Sequence, residues 1–154
     1  MLELYDITFR QIYDVIREWK WCELQKGCEL SIIKKEDVLL YAGWMEEEGT
    51  KDLDLILELI INEDLDSILP ELLKREEKSD PETICSKWIF AIILVLFNQN
   101  RKDIFSLIED IYVEFNYPEE ISQFISYMPK NEAAEERKEL LIKYIEANKK
   151  KWCG

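Results

Sequence analysis

From Trp88 to Phe97 the chain runs Trp-Ile-Phe-Ala-Ile-Ile-Leu-Val-Leu-Phe, ten residues without a polar side chain. An apolar run of that length predicts a helix buried on nearly every side. Asp80-Pro81-Glu82 supplies its start: a capping side chain, proline at the first helical position, and an acid at the positive end of the helix dipole. Asn98-Gln99-Asn100 stops it.

The remaining apolar positions recur at helical spacing. Thr8-Phe9-Arg10-Gln11 has the form of a capping box and opens a first helix along Phe9, Ile12, Tyr13, Ile16 and Trp19. Trp21 and Cys22 extend its apolar surface, and Gly27 marks the break. Cys28 to Ser31 leads into a second helix, roughly Ile32 to Glu48, with Val38, Leu39, Ala42 and Met45 on one side and Tyr41 and Trp44 flanking. Gly49 is its stop. Asp52 caps a third helix that runs through Leu53, Leu55, Ile56, Leu59 and Ile60 to Asn62. A fourth spans about Leu65 to Glu77, with Pro70 in or near its first turn. Beyond the central helix, Arg101 to Phe115 carries Ile104, Leu107, Ile108, Ile111 and Phe115 inward, until Asn116-Tyr117-Pro118 breaks it. Pro118-Glu119-Glu120 starts a short helix that ends before Tyr127-Met128-Pro129. Asn131 caps the last helix, Glu132 to about Lys150, whose stripe is Leu140, Leu141, Tyr144 and Ile145. No segment sustains strand alternation, and no exact repeat recurs. The fold class is therefore all-α: a single domain of about eight helices, as an irregular bundle or short stack of helix pairs around residues 88–97.

Composition narrows the function. At 154 residues, 47% hydrophobic and 12% aromatic, the chain can bury a substantial core. Thirty-three acids against twenty bases give a formal charge of −13. Such a surface repels nucleic-acid phosphates and attracts a basic partner. Histidine is absent, which removes the usual general base and the commonest metal ligand. Cysteines 22, 28, 85 and 153 lack the two-residue gap of a zinc knuckle or redox motif, and Cys85 reads as a small hydrophobe of the buried helix. There is no glycine-rich phosphate loop. The opening Met-Leu-Glu-Leu-Tyr-Asp does not read as a secretory signal, and ten apolar residues are too few to span a bilayer. The expectation is a cytoplasmic protein with no membrane, nucleic-acid or cofactor partner.

Two acidic stretches are the candidate sites. Asp52, Asp54, Glu58, Glu63, Asp64 and Asp66 belong to the first, and Asp110, Glu114, Glu119 and Glu120 to the second. Because these acids interleave with apolar stripes, most point outward, as an acidic docking surface requires. A carboxylate-held divalent metal acting on phosphorylated small molecules is the alternative, and would need acids on facing inner surfaces. A structural or regulatory scaffold is a further one. Glu46-Glu47-Glu48 points around a helix end and reads as solvated. Of the five tryptophans, Trp19, Trp44 and Trp88 read as core, and Trp21 and Trp152 as candidates for exposure. Tyr117, on a loop between proline-punctuated elements, is a knob that a partner could read.

Residues 111–121, Ile-Tyr-Val-Glu-Phe-Asn-Tyr-Pro-Glu-Glu-Ile, with Tyr127-Met128-Pro129, the opening Ile7-Thr8-Phe9 with Trp19, and Lys87-Trp88, resemble the landmarks of a family of small, acidic, all-helical bacterial proteins, a domain of unknown function. The resemblance implies no activity and no catalytic residues. It implies a protein-binding role, as an immunity protein that blocks a basic toxin domain by charge and shape. The expectation is a non-enzymatic binding module without cofactor or metal, using Asp52 to Asp66 or Asp103 to Glu120.

Overall fold

The computed structural model describes residues 1–125 and 134–153. Among them are eight α-helices and two 3-10 helices, with no strand, in agreement with the all-α expectation. A 3-10 turn at Leu2–Tyr5 precedes α1 (Phe9–Val15), α2 (Trp21–Glu29), α3 (Lys35–Glu48), α4 (Leu53–Asn62) and α5 (Leu65–Lys74). Then come α6 (Pro81–Asn98), α7 (Ile104–Glu114), a 3-10 helix at Glu119–Phe124, and α8 (Ala134–Trp152). Tyr127-Met128-Pro129, Asn131 and Glu132 lie outside the described residues. The contacts gather into two compact units: Met1–Phe9 with Glu18–Ile84, and Arg10–Arg17 with Cys85–Gly154.

In the first unit, α3 packs on α4, and α5 packs on both α4 and α2. Ile56 and Leu59 of α4 are buried, as are Leu65, Ile68, Leu69 and Leu72 of α5. The seam of α3 is Val38, Tyr41 and Ala42, so Tyr41 belongs to the core rather than flanking it, while Leu39, Trp44 and Met45 are half-buried. Pro70 is the sixth residue of α5, not part of its first turn. The Asp64 carboxylate accepts from the Ser67 amide at 3.3 Å and caps α5.

One expected helix is two. The first stops at Val15, Lys20 is extended, and a separate helix runs Trp21–Glu29. Three anchors hold the break. The Tyr41 hydroxyl donates to the Trp19 carbonyl at 2.9 Å and accepts from the Trp19 amide at 3.2 Å. Glu76 accepts from the amides of Trp21 and Cys22 at 2.6 and 3.0 Å, two of the orphan donors of an N-terminus. Glu23 reaches back to the Lys20 amide at 2.7 Å. Gly27 is buried inside α2 and does not end it. The left-handed residue is Ser31, and the Ile32 amide bonds to the Gly27 carbonyl at 2.8 Å, a Schellman closure. Trp21, expected to be exposed, is buried edge-on against the Tyr41 ring at 5.3 Å.

In the second unit, α7 and α8 both contact the 3-10 helix at Glu119–Phe124. All residues from Trp88 to Leu96 are buried, whereas Phe97, the last of the apolar run, and Cys85 are only half-buried. Phe90 and Phe124 both meet the Tyr144 ring edge-on, at 5.9 and 5.8 Å. Leu141, Tyr144 and Ile145 are the buried stripe of α8. On α7, Tyr112 is buried with Ile104, Leu107, Ile108 and Ile111, and Phe115 is only half-buried. At 18 residues, α6 is longer than its apolar centre, and it is long and apolar enough to cross a membrane; 61% of it is buried inside the protein.

Candidate partner-binding faces

Helix α4 carries much of the first acidic stretch, and its boundaries are those its sequence predicts. Asp52 stands at its N-cap without a side-chain cap bond. Its carboxylate instead meets Arg75 at 3.3 Å, and Asp54 takes both terminal nitrogens of the same guanidinium at 3.1 Å. Those hydrogen bonds hold the Asp54 carboxyl below its ordinary value. Two of the predicted docking acids are therefore already paired within the protein, and Asp64 is engaged in capping α5. Glu58, Glu63 and Asp66 are exposed and make no ion pair among the described residues.

What the acid pattern conceals is an apolar stripe. Leu53, Leu57, Ile60 and Ile61 are all exposed, Ile61 at 77%. The spacing i, i+4, i+7, i+8 places them along one side of α4, adjoining the seam of buried Ile56 and Leu59, with Ile61 farthest from it. The same geometry runs Asp54 and Glu58 along one edge of the stripe. Glu63, left-handed at φ 53°, and Asp64 close the end where the helix dipole is already negative, and the last turn of α4 holds no base. Leu53 and Ile60 belong to the helical apolar pattern read from the sequence, yet both are exposed. The missed signal is that α4 is apolar on more of its circumference than one buried seam requires.

The second acidic stretch is not uniformly exposed. Asp110, Glu114 and Glu119 are exposed. Glu120 is half-buried and accepts from the Ser86 hydroxyl at 3.0 Å; burial pushes its carboxyl above the ordinary value. Tyr117 is 58% exposed, yet its backbone is left-handed at φ 60°, directly after left-handed Asn116. A bulky side chain there stores strain. The Tyr117 amide bonds to the Tyr112 carbonyl at 2.7 Å, and its ring meets Tyr112 edge-on at 5.3 Å, which together hold the knob. Trp152 is half-buried, with the Lys87 and Lys151 ammonium groups 5.4 and 4.8 Å from its ring centre.

Among the described residues, no three His, Cys, Asp or Glu side chains converge on a point where they could hold a metal ion. What α4 presents chemically is a set of exposed apolar side chains with carboxylates beside them.

No curated protein and no solved structure matches the chain. A bacterial family described as "Uncharacterized protein conserved in bacteria (DUF2247)" matches residues 12–149, nearly its whole length. The chain therefore belongs to that family.

Proposed function

We propose that this protein is a non-enzymatic protein-binding module of the bacterial cytoplasm, an immunity protein that neutralises a basic toxin domain by covering its substrate cleft. The observation that carries the reading is α4, where Leu53, Leu57, Ile60 and Ile61 are exposed beside Asp54 and Glu58. A contiguous apolar patch rimmed by polar groups is the signature of an interaction site. The acidic rim selects a basic partner and disfavours a second copy, which would bring the same carboxylates to the same face. Tyr117 is a second contact element, since a strained, exposed aromatic is suited to anchor a partner.

The test is capture of a basic protein from lysate of the source bacterium by the purified chain, by Leu57→Asp/Ile61→Asp, and by Glu58→Lys/Glu63→Lys. The expected result is capture by the native chain at low salt, release at higher salt, loss with the apolar double variant, and slower association with the charge reversal. The captured protein should be toxic when expressed alone and harmless when co-expressed with this chain. Capture that survives both double variants removes α4 from the reading. A captured protein without toxicity removes the immunity role.

A further inference from the structure

The second unit holds a cavity that this protein-binding reading does not use. Its volume is about 600 Å³, within the range of small-molecule sites. Its described lining combines an apolar floor, including Ile104, Phe105 and Ile142, with the bases Arg101, Lys102 and Lys138. Three places in the chain build it. The segment after α6 brings Arg101 and Lys102, the first turn of α7 brings Ile104 and Phe105, and α8 brings Lys138 and Ile142 one turn apart.

The charge at this cavity runs against the rest of the molecule. The chain has 33 acids and 20 bases, yet the described lining contains three bases and no acid. Arg101 meets Asp103 at 3.1 Å. Lys102 and Lys138 make no ion pair among the described residues. A fourth cation, the Arg137 guanidinium, lies 4.7 Å above the Phe105 ring, and its Nε is buried without an acceptor among the described residues. Asp103 stands at the N-cap of α7 without a side-chain cap bond, and its carboxylate pairs with Arg101.

An inorganic anion would answer these charges and leave the apolar floor wet. A neutral apolar molecule would fill the floor and leave Lys102 and Lys138 without a counter-charge. We infer that the cavity binds a small amphipathic anion, an acyl or alkyl chain ending in a carboxylate or a phosphate. The chain lies on Ile104, Phe105 and Ile142, and the head group meets Arg101, Lys102 and Lys138.

The test is isothermal titration of the full chain with octyl phosphate, octanoate, inorganic phosphate and octyl glucoside. Octyl phosphate or octanoate should bind at least about tenfold more tightly than inorganic phosphate and octyl glucoside, and the tighter of the two identifies the head group. Lys102→Gln/Lys138→Gln should weaken the anionic ligand about tenfold and leave octyl glucoside unchanged. Ile142→Gln should weaken both octyl ligands. All three positions are exposed, so these variants keep the fold. Octyl glucoside binding as tightly as the anions, titrations indifferent to both variants, or no heat at millimolar ligand would each overturn the assignment.

Discussion

At the scale of single residues, the N-terminus of α2 rests on one distant carboxylate. Glu76 receives the Trp21 and Cys22 amides, so Glu76→Ala should cost about 1–2 kcal/mol, as loss of a helix cap does. Urea denaturation checks this, and an unchanged midpoint would mean that water replaces the carboxylate without loss. The half-buried Glu120 acts in the opposite direction. Its folded pKa is raised above the ordinary 4.5 by burial, so it contributes stability below that pH and loses it as pH rises through the folded value. Glu120→Gln keeps an acceptor for Ser86 and should raise the urea midpoint at neutral pH while flattening the weakly acidic part of the profile. Asp54 has the reverse sign. Arg75 depresses its carboxyl below 3.8, so its contribution is present above that pH and is lost as pH falls through the folded value. Arg75→Gln should remove that acid-range component. None of these long-range partners is visible in the sequence, because Trp21 and Glu76 are 55 positions apart and local patterns report only neighbours within a few turns.

At the scale of elements, α4 separates two kinds of apolar residue that sequence alone treats alike. Leu59 is fully buried and Ile61 is 77% exposed. Leu59→Ala should cost about 2–5 kcal/mol, whereas Ile61→Asp should cost no more than about 1 kcal/mol, from an acid added at the negative end of the helix dipole, and abolish partner capture. Paired chemical denaturation and capture measurements check both; equal destabilisation by the two substitutions would show that the stripe is covered. Helices α4 and α6 were legible because their signals are local. Asp52 and Asn62 bracket the apolar period of α4, and Asp80-Pro81 and Asn98 bracket that of α6. The boundary between α1 and α2 was not legible. Helical apolar spacing continues across Lys20, and the break is enforced by Tyr41 and Glu76 from elsewhere in the chain. Gly27 misled for the same reason. Glycine at a helix end is a strong statistical stop, but the left-handed closure here is made by Ser31.

For the whole molecule, two consequences follow from the apolar centre and the surplus of acid. Phe90 on α6 is fully buried and meets the Tyr144 ring. Phe90→Ala should therefore cost about 3–5 kcal/mol, read from urea or thermal denaturation. A formal charge of −13 works against the compact state. Raising salt from low to physiological strength should raise the thermal midpoint, since the Debye length shrinks to about 8 Å; a midpoint that falls instead would mean that pairs such as Arg75 with Asp54 outweigh the general repulsion.

The sequence by itself determined the all-helical class, the buried identity of residues 88–97 except the last, the outward direction of most acids and the family resemblance, because periodicity, capping residues and composition act over one or two helical turns. Only the tertiary structure decided which apolar residues stay in water, as Leu57 and Ile61 do, and which acids are already paired, as Asp52 and Asp54 are with Arg75. It also decided where cations collect around an apolar cavity in an acidic protein. Those outcomes depend on which helix meets which, and they are set by contacts between residues tens of positions apart.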